Sequence, residues 1–333
     1  MVYYMNWTRL TEKKNQLDRF RPLPSALVNN LEDWFRVELT YTSNALEGNT
    51  LTRRETALVV EKGLTVGGKL LSEHLEAANH AQALDWVSAQ IDRTPSDLNE
   101  RDLLHIHSFI LKGIDDANAG YYRSVPVRIA GSPVILPNHR KVPDLMTAFM
   151  KWLRTERNLH PALLAADVHY QLVTIHPFTD GNGRTARLLM NLLLLMAGYP
   201  AAIIRKRDRL AYIASLEKAQ MGGSKDDFYR LIHKAIERSL DIYLKAAQGQ
   251  TWGEQKEHTL LKIGELSKKT GEANSTLRYW TQEGLLEVAE ITPAGYQMYS
   301  HEMVEKVRRI QKLKKERYTL KEIQGKLVNE GKV

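Results

Sequence analysis

Apolar residues recur at three- and four-residue intervals over residues 84–91, 98–111, 145–153 and 162–174, the spacing that gathers side chains on one face of an α-helix. Residues 31–41 carry the same character. Asn99 and Asp144 stand where helix N-caps are expected, the second just after Pro143. The most apolar stretch, 188–204, is interrupted by Asn191, Gly198 and Pro200. A bilayer span needs about 20 apolar residues, so this stretch predicts a buried core helix over 188–197, closed by Gly198, and no membrane partner. One segment departs from the helical pattern. From Val125 to Leu136, two β-branched runs flank Gly131-Ser132-Pro133, which predicts a single β-hairpin. One hairpin cannot build a sheet core, so it is expected to serve as a flap or to be a plain surface loop.

Gln248-Gly249-Gln250-Thr251-Trp252-Gly253 is a small polar connector between a helical body and a compact basic module. In that module, a periodic helix over 261–270 runs through a Thr270-Gly271 turn into a second helix over 274–283. Gly284-Leu285-Leu286, a Pro293-Ala294-Gly295 turn and a segment over 296–299 follow. A basic helix over 301–315 and a last helix over 320–328 complete it. Two helices joined by a tight turn and followed by a hairpin describe a winged helix-turn-helix. The expected architecture is mainly α, with an N-terminal helical region (1–97), a core domain (98–248), a linker (249–256) and the winged module (257–333).

The 333 residues suit about two domains. With 43% apolar and 26% charged residues, the chain is not of disordered composition. It has no cysteine, which excludes disulfides, thiolate metal sites and cysteine nucleophiles. The polar N-terminus shows no secretory signal, and a cytoplasmic protein is expected. The net charge of +8 and pI near 9.4 make polyanions plausible partners. Residues 255–333 hold 15 Lys and Arg against 11 Asp and Glu, so the winged module takes a large share of that charge.

The densest chemistry lies at His176-Pro177-Phe178-Thr179-Asp180-Gly181-Asn182-Gly183-Arg184-Thr185-Ala186-Arg187. Pro177 ends one apolar helix, because the residue before a proline is pushed out of the α region. The next helix begins at the Gly-Asn-Gly turn. Glycines there let backbone N–H groups face an anion with no Cβ in the way, and the helix dipole favours negative charge. Arg184 and Arg187 can grip further phosphate oxygens. Asp180 suits magnesium, which takes one or two protein oxygens alongside phosphate. His176 suits proton abstraction near neutral pH. On residue types alone, the alternative is an ordinary helix corner, capped by Asp180 with its arginines in solvent.

This run resembles the signature of the Fic (Fido-fold) family, His-Pro-Phe-x-Asp/Glu-Gly-Asn-Gly-Arg-x-x-Arg, matched at every fixed position, with the likeness extending over residues 98–247. The resemblance implies transfer of AMP from Mg-ATP to a Tyr, Thr or Ser hydroxyl of a target protein, the chain itself included. It casts His176 as general base and Asp180 as magnesium ligand. Gly181, Asn182 and Gly183 would form the anion hole, with Arg184 and Arg187 on the outer phosphates. The flap would register the target, with Ile129 near the nucleotide. Tyr212 and Gln220 resemble adenine-contacting positions, although Ile213 stands where relatives often carry an aromatic residue.

Upstream, Ser43 and Glu47 are four apart and share a helix face. Alone they read as solvated residues. Beside the core motif, Ser43-Asn44-Ala45-Leu46-Glu47-Gly48 resembles the family's inhibitory motif, Ser/Thr-x-x-x-Glu-Gly/Asn. That resemblance implies that Glu47 pairs with Arg187 and that Ser43 helps to fix the carboxylate. In some relatives such a glutamate supports the reverse reaction, release of AMP. The pairs His74 and His80, His105 and His107, and His169 and His176 lack the spacing of zinc-binding helices, so all but His176 are expected to be structural or surface residues.

The winged module resembles the MerR-type DNA-binding domain through Ile263-Gly264-Glu265-Leu266, Thr276-Leu277-Arg278-Tyr279-Trp280, Gly284-Leu285-Leu286, Gly295-Tyr296 and Tyr299. Arg278, Lys268 and Lys269 would meet DNA phosphates. Ala273, Ser275 and Gln297 depart from that pattern, and a winged helix used for protein contact is the alternative. DNA-binding dimers need two half-sites, and no long dimerisation helix is visible, so a homodimer would form through the helical body. Besides the transferase, two readings stay open: a de-AMPylase or other nucleotidyl transferase of this fold, and a transcription regulator whose ATP-binding body acts as a sensor.

Overall fold

A computed structural model describes residues 7–156, 158–250, 260–291, 296–300, 302–316, 318, 320, 322 and 323. The chain divides into two units, Met1–Thr251 and Trp252–Val333.

The first unit runs α1 (Thr8–Asp18), α2 (Ser25–Leu46), α3 (Arg53–Lys62), α4 (Leu71–Ser88), α5 (Glu100–Leu111), α6 (Val142–Thr155), α7 (Pro161–Ile175), α8 (Asn182–Met196), α9 (Arg209–Gln220) and α10 (Asp226–Ala247). Caps set several of these ends. Asn99 accepts from Arg101 N–H while the Asp102 carboxylate accepts from Asn99 N–H, so α5 starts where the sequence places a cap. Thr52 and Glu55 close the same box on α3, and left-handed Gly63 ends that helix. For α6, the helix begins at Val142, which puts Asp144 in the first turn, facing the helix dipole, rather than at the cap.

Helix α8 is buried almost all round, which accounts for its leucine run; it packs against α7, α5, α4 and α2. The apolar stretch of the sequence is therefore a core helix that ends before left-handed Gly198. Among the described residues, no helix is long and apolar enough to cross a membrane.

The flap is no hairpin. Residues 124–137 contain a turn in which Ser132 N–H donates to the Ile129 carbonyl, but neither arm forms a strand and no ladder joins them. Pro126, Pro133 and Pro137 have no N–H to give such a ladder.

The second unit holds β1 (Leu261–Lys262), α11 (Ile263–Thr270), α12 (Asn274–Gln282), β2 (Glu290–Ile291), β3 (Gln297–Tyr299) and α13 (Glu302–Lys315). The sheet is antiparallel in the order β1-β3-β2, with Leu261 opposite Tyr299 and Glu290 opposite Met298. Leu266, Leu277, Trp280, Leu285, Tyr299, Val307 and Ile310 form the core beneath it. This is a winged helix-turn-helix. The turn at 293–295 lies outside the described residues, as do most of the expected linker (249–256) and most of the last helix (320–328).

Candidate active site

The site is the corner between α7 and α8. His176 caps α7 in the left-handed conformation (φ 51°, ψ 60°), and among the described residues it is the one non-glycine with positive φ. Such strain persists where surrounding bonds over-determine it. His176 N–H donates to the Leu172 carbonyl, and Nδ1 lies 3.3 Å from the Val173 carbonyl. Donation by Nδ1–H to that carbonyl leaves Nε2 as the proton acceptor. Burial holds the imidazole below the ordinary histidine range. The Arg123 charge pushes the same way, whereas the Val173 carbonyl, Glu47 and Asp180 pull it back up.

The turn after His176 is built from its own side chains. Asn182 accepts from Phe178 N–H and donates to the Phe178 carbonyl, at 3.0 and 2.9 Å, so its amide closes the turn. Gly181 takes φ 74° at the cap of α8, where a Cβ would press on Ile110 and His107. His107 stacks flat on Phe178 at 3.6 Å. Its Nδ1 accepts from Gly120 N–H, so Nε2–H donates to the Asp180 carbonyl. The His107 expectation of a structural role matches this placement.

Two arginines project from the first turns of α8. Arg184, with its side chain 2% exposed, is held by Glu76 of α4 and by Asp180, each at 3.0 Å. Glu76 also accepts from Asn49, in the loop that follows α2. Arg187 is the centre of a denser set. Its Nη2 donates to Glu47 at 2.6 Å and to the Ser43 carbonyl at 2.9 Å, while Nε donates to Ser43 Oγ at 2.9 Å. Nη1 donates to the Tyr212 hydroxyl, which also shares a hydrogen bond with His169 Nε2 at 2.9 Å. Burial works against the charge on Arg187, but Glu47 and Tyr212 more than offset it and the group is held protonated.

A Cβ built on Gly183 would collide with the Glu47 carboxylate and come 3.0 Å from Arg187 Nη1. The hollow over Gly183, at the leading end of α8, therefore already holds an anionic group from within the chain. A phosphate has the charge and the oxygen acceptors to take the same donors.

Asp180 turns its carboxylate outward, 68% exposed, with one oxygen on Arg184. One accessible carboxylate beside an anion-holding hollow is a donor set that fits magnesium, which keeps most of its waters and takes few protein ligands. Among the described residues no cluster of three His, Asp or Glu suggests a metal cage.

Of the remaining candidates, Gln220 donates to the Val173 carbonyl and to Thr174 Oγ1, beside His176. Tyr212 is buried, with its hydroxyl spent on Arg187 and His169. Ile129 lies at the flap turn, half-buried. Lys268, Lys269 and Arg278 are exposed on α11 and α12 of the second unit. Glu76, Arg123 and His169 are parts of the site that sequence reading did not single out. The histidine alone left a trace there, as one member of a nearby pair.

The model of the Fic/DOC family matches residues 97–194, and that of the MerR HTH family regulatory proteins matches residues 261–330. A protein adenylyltransferase Fic of Culex quinquefasciatus is 37% identical over 240 residues, which are 72% of this chain and 47% of that protein. The chain thus spans about half the length of the curated relatives it matches. Among solved structures, Fic-1 of C. elegans (residues 134–508) superposes with a TM-score of 0.65 at 32% identity, covering 72% of each chain. A Fic domain containing signaling protein of Bacteroides thetaiotaomicron gives 0.66 at 28% identity, covering 73% of this chain and 99% of its own.

Proposed function

The chain belongs to the Fic/DOC family, and on that premise we propose that it is a self-inhibited protein adenylyltransferase that moves AMP from ATP to a hydroxyl side chain of a target protein. The observation that carries this reading is the Glu47–Arg187 pair at 2.6 Å over Gly183, with the Glu47 charge acting on His176. An internal carboxylate in an anion cradle is what a nucleotide triphosphate has to displace.

His176 Nε2 takes the proton of the target hydroxyl as its oxygen attacks the α-phosphorus. The bond from that phosphorus to the bridging oxygen breaks, and pyrophosphate leaves. The main-chain N–H groups at Gly181, Asn182 and Gly183 face the phosphates at the positive end of α8. Arg187, once free of Glu47, and Arg184 bind the outer phosphates. Asp180 would hold magnesium, which when bound neutralises phosphate charge. The flap arms, free of internal pairing, offer backbone groups to an extended target segment, and Ile129 and Gln220 line the nucleoside side.

The test is intact-mass measurement of the Glu47→Gly variant with Mg-ATP and candidate targets. A gain of one AMP is expected, above the wild-type level, and is lost in Glu47→Gly/His176→Ala. No gain on any protein, the variant included, refutes the reading.

A second activity is supported by the winged unit, whose α11 and α12 expose Lys268, Lys269 and Arg278. Sequence-selective, salt-sensitive DNA binding that Arg278→Ala weakens is the expected result. An unchanged affinity for that variant removes these residues from the interface.

A further inference from the structure

We propose that Arg123 is a positioning residue whose single guanidinium ties both ends of the flap to the main chain of His176. The proposal rests on the adenylyltransferase reading for its catalytic consequence, and on geometry for the tether itself.

Arg123 is 3% exposed. Its Nε donates to the His176 carbonyl at 2.7 Å, and its own N–H donates to the Pro177 carbonyl at 2.9 Å. The two outer nitrogens reach apart: Nη1 donates to the Val125 carbonyl at 3.2 Å, and Nη2 to the Pro137 carbonyl at 2.7 Å. Val125 and Pro137 are where the flap leaves the body and where it returns. One planar group therefore closes the loop at its base and fastens that base to the residue holding the imidazole.

Two further features fit the assignment. Within the flap, among the described residues, Ser132 N–H to the Ile129 carbonyl is the single internal backbone bond, so the arms do not hold one another. His176 itself sits in a strained left-handed conformation, which needs its flanking carbonyls fixed. Arg123 also has no carboxylate partner among the described residues. A buried cation satisfied by carbonyls alone is a poor device for stability, but a fork of five N–H donors is well suited to holding three divergent acceptors. A lysine ammonium keeps the charge and cannot reproduce the fork.

The experiment places Arg123→Lys in the Glu47→Gly background. It measures transfer kinetics, the thermal midpoint and amide hydrogen exchange. The expected result is a fall in kcat of about tenfold to a hundredfold, as for a misplaced reacting group, with KM for ATP changed less than about twofold. Exchange over residues 124–137 should quicken while the core of α8 keeps its protection. Arg123→Gln, which retains an N–H donor without the charge, replaces the lysine variant if that chain does not fold. Unchanged exchange in the flap overturns the tether. A rise in KM for ATP together with global loss of protection also overturns it, because that marks a merely structural role. If the Glu47→Gly parent transfers no AMP, the enzymatic reading fails on its own, and flap exchange alone still decides the tether.

Discussion

The Glu47 carboxylate fills the space above Gly183 that any side chain there would need. Loss of Glu47 and gain of a methyl at Gly183 therefore act in opposite directions on the same hollow. Glu47→Gly empties it and is expected to raise transfer. Adding Gly183→Ala to that variant leaves a Cβ 3.0 Å from Arg187 Nη1, where the proposed mechanism brings an outer phosphate. Transfer by the double variant should fall about tenfold or more, as on removal of an anion-hole donor. Labelling with ATP compares the two, and equal rates would show that the phosphates lie elsewhere.

Glu76 neutralises Arg184 from α4 across a long stretch of sequence, and Arg184 is almost wholly buried. Removing Glu76 leaves that buried charge with the exposed Asp180 carboxylate as its remaining acidic partner among the described residues, at a cost of about 3 kcal/mol. Glu76→Ala should lower stability by about that amount in urea unfolding, and Glu76→Gln by less, since an amide oxygen still accepts from Arg184. If both variants unfold like the parent, Glu76 is not a structural partner of the motif.

Of the buried histidines among the described residues, His80, His107 and His169 make the fold sensitive to acid. Burial pushes His80 and His169 down to about 3 and His107 to about 4, far below the unfolded value of about 6.5. The unfolded chain therefore binds protons that the folded chain refuses as pH falls below 6.5. The stability these groups contribute is fully present above that pH. It is lost toward pH 4 at about 1.4 kcal/mol per pH unit for each histidine. His80→Asn should flatten the slope by one such increment. Unfolding free energies that stay level between pH 6.5 and 5 would contradict the assignment.

The motif histidine gives a separate pH signature. As the proposed base the imidazole has to be neutral, and burial holds its pKa below the ordinary range. The acid limb of the transfer profile should therefore fall below pH 6.5. Because the Glu47 charge raises the His176 pKa, the limb for Glu47→Gly should lie at lower pH than the limb for the wild-type chain. A limb at or above pH 6.5 in the variant would mean that another group limits the rate.

The corner from His176 to Arg187 was readable in the sequence because its features are local. A proline stops one helix, glycines permit the turn, and the arginines follow at fixed spacing. Ser43 and Glu47 were readable only through the resemblance of residues 43–48 to the family's inhibitory motif, since their spacing alone reads as a solvated helix face. Arg123 and Glu76 were not, since each meets the motif from an element whose own periodicity says nothing about its neighbour. Their contacts with His176 and Arg184 span 53 and 108 residues. The hairpin expectation failed in a different way: β-branched residues predict paired strands, but prolines deny the arms a ladder. Tyr212 shows how a side chain's partner can escape a pattern. The family resemblance implies a contact to adenine, and its hydroxyl, a partner no pattern foretold, joins Arg187 to His169.

The segment carrying Glu47 is fastened on every side but one. Asn44 donates to the Glu76 carbonyl, Asn49 to the Glu73 carbonyl, and Arg209 to the carbonyl of Leu46. Ser43 is locked to Arg187, while the Glu47 side chain alone is 39% exposed. Opening the cradle consequently calls for torsions about a single carbon stem rather than withdrawal of α2. On the proposed reading, displacing that carboxylate is enough to open the cradle, and the scaffold behind it can keep its place.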